Sequence, residues 1–141
     1  MKKTIFGLLM CILFLGGVVY ILRKPLETSL EYHKIINISS NKVYINTSIW
    51  GISSNHYYIS LSNKEKGEDI IFYETEIYYK QQGVDSIIIY FPTNSFQNIN
   101  NRKLGDINII LNGFMYSQFQ DYKDKYKEMG LCKISVYDGI E

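Results

Sequence analysis

Cysteine, proline and histidine are scarce in this sequence, with two of each. Cys11 falls inside an apolar N-terminal run, which leaves Cys132 alone in the part that folds. That excludes an intradomain disulfide, and one thiol with two distant histidines cannot build a zinc site. Basic excess is also missing. Lys2, Lys3, Arg23 and Lys24 precede any acid; removing these four from 15 basic residues leaves 11 against 14 acidic ones, a net charge near −3. A nucleic-acid binder needs a basic stripe or patch, so that partner class is excluded. No glycine-rich turn opens a helix as a phosphate loop requires, and EKGED (Glu65–Asp69) lacks the alternating acids of a calcium loop. No internal repeat or low-complexity run is present.

What the sequence has instead is isoleucine and tyrosine. Aromatics make up 15%, with 13 tyrosines, and hydrophobic residues 46%. These residues suit a pleated, half-buried strand, and a chain this rich in them folds. Residues 1–24 form a targeting segment and 25–141 a single domain of ordinary size. The uncharged run Thr4–Leu22 has the length to cross a bilayer core as a helix, and Pro25 ends it. It is read as an uncleaved signal anchor, because charges follow it and no small-residue cleavage site does. A cleaved signal peptide, a lipidated Cys11 and a buried core helix are the alternatives. The positive charges favour an N-inside orientation, which puts the domain of a single-pass membrane protein outside the cytoplasm.

Strand-like runs follow at short intervals. His33–Ser39 is the weakest. Lys42–Trp50 alternates with Val43, Ile45, Thr47 and Ile49 on one face; His56–Ser62 alternates with Tyr57, Ile59 and Leu61. NKEKG (Asn63–Gly67) reads as a charged hairpin loop. Ile70–Tyr73 and Thr75–Lys80 are separated by a bend near Glu74, and Ser86–Phe91 is a central strand stopped by Pro92. Thr93–Lys103 is polar and reads as a loop, Ile107–Leu111 as a strand. The period then changes: Met115, Phe119, Tyr122, Tyr126 and Met129 form a helical stripe, Gly130 caps it, and Leu131–Tyr137 closes as a strand. The expected fold is α+β: a mainly antiparallel sheet of six to eight strands with one late helix packed on it. The stripe predicts that Phe119→Ala costs about 3–5 kcal/mol, the range for a buried phenylalanine.

No constellation carries catalysis. His56 follows Ser53 and Ser54, but WGISSNH has no nucleophile elbow and no carboxylate to orient the imidazole. Glu74 and Glu76 share a strand face as exposed acids commonly do. Cys132 shares a face with Ile134 and Val136 and reads as a buried, inert thiol. Asn37 and Asn46 match the glycosylation pattern but lie in or beside strands. The paired tyrosines put one ring on each sheet face. Trp50, Tyr58 and Tyr78 are therefore the candidate interaction surface, since Trp and Tyr are enriched in interface hot spots.

WGISSNHYYISLS (Trp50–Ser62), EIYYKQQGVDSIIIYF (Glu76–Phe91) and GLCKISVY (Gly130–Tyr137) together resemble small membrane-anchored or lipoprotein-like envelope proteins of Bacteroides-type bacteria. The resemblance implies a tryptophan-glycine strand end, paired hairpins and a final helix-strand unit. It carries no activity, cofactor or metal. The expected role is a membrane-tethered, non-catalytic module that contacts another protein, as an envelope accessory or immunity protein does. The alternative is a small membrane-bound hydrolase.

Overall fold

A computed structural model describes residues 30–51, 55–93, 97–99 and 102–140. The proposed anchor, residues 4–22, lies outside them. No helix among the described residues is long and apolar enough to cross a membrane.

Strand β1 (Leu30–Ile38) turns through Ser39 and Ser40 into β2 (Asn41–Trp50), and the two pair along their full length. Its mixed composition made β1 look weak, yet every residue of it has a partner on β2. β3 (His56–Ser62) and β4 (Ile70–Phe72) extend the sheet antiparallel. The bend at Glu74 is where the chain leaves this sheet. β5 (Glu76–Gln82) and β6 (Ser86–Pro92) form a hairpin in a second sheet. The chain then returns to the first sheet for β7 (Gln97–Ile99), which pairs with β4. β8 (Lys103–Leu104) and β9 (Ile107–Phe114) rejoin the second sheet, where β9 runs parallel to β6. A 3-10 turn (Tyr116–Gln118) leads into helix α1 (Phe119–Lys125), and β10 (Cys132–Ser135) and β11 (Gly139–Ile140) close the described chain. The orders are β1-β2-β3-β4-β7 and β11-β10-β5-β6-β9-β8.

The α+β, mostly antiparallel class stands, but eleven described strands in two stacked sheets replace one sheet of six to eight. Two differences have one cause. Thr93–Lys103 contains β7, and the crossover that makes β6 and β9 parallel runs through that strand rather than through a helix. Three residues in a polar stretch carry no readable period.

Alternation builds the core. Val43, Ile45 and Ile49 of β2, Ile59 and Leu61 of β3, and Ile70 and Phe72 of β4 face Ile77, Ile87, Ile89, Ile107, Ile109 and Ile134 of the second sheet in one buried cluster. Thr47 belongs to the same inner face, and its hydroxyl is buried without a hydrogen-bond partner. A second cluster covers the outer face of the second sheet. Tyr78 and Phe114 lie beneath Tyr126, with Phe119, Tyr122 and Tyr90 against them. The Phe114 and Tyr122 rings stack at 3.9 Å, and Tyr78 meets Tyr126 at 5.6 Å. Gly130 adopts φ +69°, the left-handed turn that ends the helical segment, and Leu131 N–H bonds back to the Tyr126 carbonyl.

The helical stripe therefore packs through its middle only. Met115 and Met129 are 66% and 45% exposed, and Phe119 is half-buried. Phe119→Ala is accordingly expected to cost about 1–2 kcal/mol, below the ~3–5 kcal/mol of a fully buried phenylalanine, while Tyr126→Ala costs more. Equal losses in chemical denaturation would contradict this packing. Thr47→Val keeps the shape and removes an unsatisfied hydroxyl. It is expected to stabilise the fold by about 1 kcal/mol, read from the same denaturation curves, and a loss would mean the hydroxyl is bonded.

Candidate functional site

The outer face of the first sheet is set by the same register that builds the core. Residues alternating with Val43, Ile45, Thr47 and Ile49 are Tyr44, Asn46, Ser48 and Trp50. Across the strands, Ser48 stands between Glu31 and Tyr58, Asn46 between His33 and Ser60, and Trp50 opposite His56. An outer face of this kind is normally wet. Here Asn46, Ser48, Ser60 and Ser62 are all buried.

The cover is the β3–β4 loop. Ser62 Oγ donates to Asp69 Oδ2 at 2.6 Å and accepts from Lys64 N–H at 3.0 Å, which fastens both ends of the loop to one hydroxyl. Gly67 permits the closeness, because a Cβ there would overlap Ser62. Between this loop and β1 lies a cleft of about 320 Å³, lined by Glu31, His33, Asn46, Ser48, Tyr58, Glu65, Lys66 and Glu68.

Its walls are tied down. His33 Nδ1 donates to Asn46 Oδ1 at 2.7 Å, and its Nε2 lies 3.8 Å from Glu31. Tyr58 donates its hydroxyl to Glu68. Burial first, then that hydrogen bond and the charges of Glu68 and Glu31, push the phenol up to about 12. Trp50 meets Tyr58 edge-on at 5.7 Å and stacks on His56 at 5.6 Å, so the aromatic cluster continues the cleft along the sheet.

Of the three residues expected at an interaction surface, Trp50 and Tyr58 come together here. Tyr78 does not: it is completely buried under α1 on the other sheet and donates to Glu76 at 3.0 Å. Burial, followed by the Glu76 charge and that hydrogen bond, raises its pKa. The Tyr78–Tyr79 pair does put one ring on each face, with Tyr79 against the inner core, but Tyr78 is not open to a partner because the helix covers the outer face. Cys132 shares the inner face with Ile134 but sits at the end of its strand and is exposed, so it is not a buried thiol. It hydrogen-bonds Tyr79, whose pKa is raised by burial and by this contact. Glu76 is buried against Tyr78 and Glu74 sits in the bend between sheets, where burial raises its pKa, so they are not a pair of exposed strand acids.

Nothing in the cleft is arranged as an activated nucleophile. Ser48 makes no hydrogen bond among the described residues, and His33 is committed to Asn46 and Glu31. His56 carries a ring stack and has no carboxylate partner among the described residues. No group of three His, Cys, Asp or Glu among the described residues is placed to hold a metal ion. Glu31, His33, Asn46 and Ser48 were not legible as a site, Asn46 standing out only as a glycosylation pattern, because polar residues facing outward from strands look like ordinary solvated positions.

A phenol whose pKa is higher in the fold than in the unfolded chain favours folding while protonated. For Tyr58 that contribution is complete below pH 10.0, its ordinary value, and is lost as pH rises through about 12. The wild type is therefore expected to lose more stability across that window than Tyr58→Phe, measured by denaturation at stepped pH. Parallel curves would show that neither burial nor Glu68 raises the Tyr58 phenol.

No protein family's sequence pattern matches the chain, and no curated protein and no solved structure is similar to it.

Proposed function

We propose that this protein is a membrane-tethered, non-catalytic β-sandwich that works by contact with another protein through the outer face of its first sheet. The observation that carries the reading is the position of Trp50, the one tryptophan of the chain. It is half-exposed, held between His56 and Tyr58, and lines a recess of its own beside the polar cleft, whose wall Tyr58 forms. Partly exposed aromatic anchors beside polar groups are what interface hot spots are made of, and a ring locked by neighbours loses little freedom on binding. The tether is the run from residue 4 to 22, with the domain outside the cytoplasm. A module fixed to a membrane meets partners in two dimensions and works through modest surfaces of this size. The role is that of an envelope accessory or immunity-type protein.

The test is a photo-crosslinking residue at Lys66, on the cleft rim, in membranes of the native host, with the same residue at Ile110 on the outer face of the second sheet as control. A discrete adduct from position 66 alone is expected. Trp50→Ala should weaken it by about 2 kcal/mol, the threshold of a hot spot, or roughly 30-fold. Equal adducts at both positions, or none, would remove this face from the proposal. Carbonate extraction with intact-mass measurement tests the tether: a soluble chain starting at or beyond residue 25 would refute it.

A further inference from the structure

The cleft on the first sheet carries an excess of carboxylates. Glu31, Glu65 and Glu68 contribute three carboxylates against one ammonium, Lys66, which is exposed at the rim. One Glu68 oxygen is engaged by Tyr58; Glu65 has no ion pair among the described residues. Acidic side chains alone would be no more than a solvated rim. The floor makes the difference. Ser48 is only 7% exposed, stands on the outer face of β2, lines the cleft and makes no hydrogen bond among the described residues. Its hydroxyl opens only onto the cleft, so it is available to an incoming donor, and a ligand that displaced its water without hydrogen-bonding it would leave it unpaired. Asn46 beside it has one lone pair of Oδ1 taken by His33 and another available.

We propose that this cleft receives one basic side chain, an arginine or lysine presented by the protein partner. Carboxylates at the rim, a hydroxyl and a carboxamide oxygen on the floor, and the Tyr58 ring on the wall call for a ligand that is cationic and rich in N–H donors. Guanidinium offers five donors and ammonium three, and either is attracted to an aromatic face. Neutral apolar groups would leave Ser48 unpaired, and anions would meet a net negative wall. The volume, about 320 Å³, lies at the small end of ligand sites, suited to one side chain rather than to a folded segment. Lys66 does not oppose this, since its flexible stem lets the ammonium move into solvent or toward an acidic neighbour on the partner.

The assignment rests on the contact reading of this face, and its test is separable from that reading. The full chain, kept in detergent, is titrated with Nα-acetyl-arginine amide, Nα-acetyl-lysine amide and the neutral isostere Nα-acetyl-citrulline amide. Binding is followed by calorimetry and by Trp50 fluorescence, so that a silent fluorophore is not mistaken for no binding. A saturable interaction in the range of about 1 mM is expected for the cationic amides and none for citrulline. Glu31→Gln with Glu65→Gln should weaken it about tenfold or more, and added salt should weaken it further. Ser48→Ala should reduce affinity several-fold with the fold intact by circular dichroism. Equal binding of citrulline, no effect of the double variant, or no saturation with either cation overturns the proposal. If the amides fail while crosslinking at position 66 still depends on Trp50, the basic side chain is wrong and the contact reading stands. If the amides bind and no protein crosslinks, the cleft belongs to a free amine and the protein partner is overturned.

Discussion

Alternation is the constraint on which the whole described structure depends. A strand gives one face only every second side chain, so a single apolar layer between two sheets consumes half of each strand and leaves two outer faces unspent. Cys132 has no disulfide, and no metal-binding cluster exists among the described residues, so this layer does most of the holding. The isoleucines do that work: Ile45, Ile59, Ile77, Ile89 and Ile134 are essentially inaccessible to solvent. Their β-branched side chains are stiff and pack well on a pleated surface. The sandwich then has to decide what to do with each outer face.

It treats the two differently. On the second sheet the cover is apolar. Tyr122 and Tyr126 lie over Tyr78, Tyr90 and Phe114, and the one polar cost, the Tyr78 hydroxyl, is met by Glu76. Such a lid excludes water and seals. On the first sheet the cover is polar, a loop fastened to Ser62 rather than packed on hydrophobes. A polar lid cannot collapse onto the face it covers, because its carboxylates hold their hydration, and a cleft remains between them. The exposed ends of the helical stripe, Met115 and Met129, show the opposite limit: seven residues of α-helix are too short for the whole stripe to reach the sheet.

Legibility followed the same division. Long alternating runs were readable to within a residue or two: β2, β3 and β6 lie where their patterns put them, and the left-handed Gly130 marks the turn after the helix. The sheet count was not readable. A bend at Glu74 looks alike in sequence whether the chain turns within one sheet or passes to another, because that depends on which strand lies ahead. Nor was β7, where pairing with β4 orders three residues that have little preference of their own. At the site, Trp50 and Tyr58 were visible as aromatic residues on strands, and they do meet. Tyr78 was misjudged because exposure is set by what covers a face, not by the face itself. Asn63–Gly67, with Glu65, was legible as a charged loop, and Glu68 follows it; that the loop folds back over Asn46 and Ser48 depends on Gly67 fitting against Ser62, which no local pattern encodes.

Core and cleft are two sides of one register. The pairing that sets Ile45 against Leu61 and Thr47 against Ile59 also sets Asn46 against Ser60 and Ser48 against Tyr58. A slip of one residue in β2 would turn Asn46 and Ser48 into the apolar layer and carry Val43, Ile45 and Ile49 outside, a loss of many buried methylenes at about 0.8 kcal/mol each. The hydrophobic core therefore fixes the floor of the cleft with far more free energy than the floor's own hydrogen bonds supply. That division suits the proposed recognition: acceptors on a rigid strand need no reorganisation when a donor arrives, while of the three carboxylates Glu31 stands on β1 and Glu65 and Glu68 on the loop.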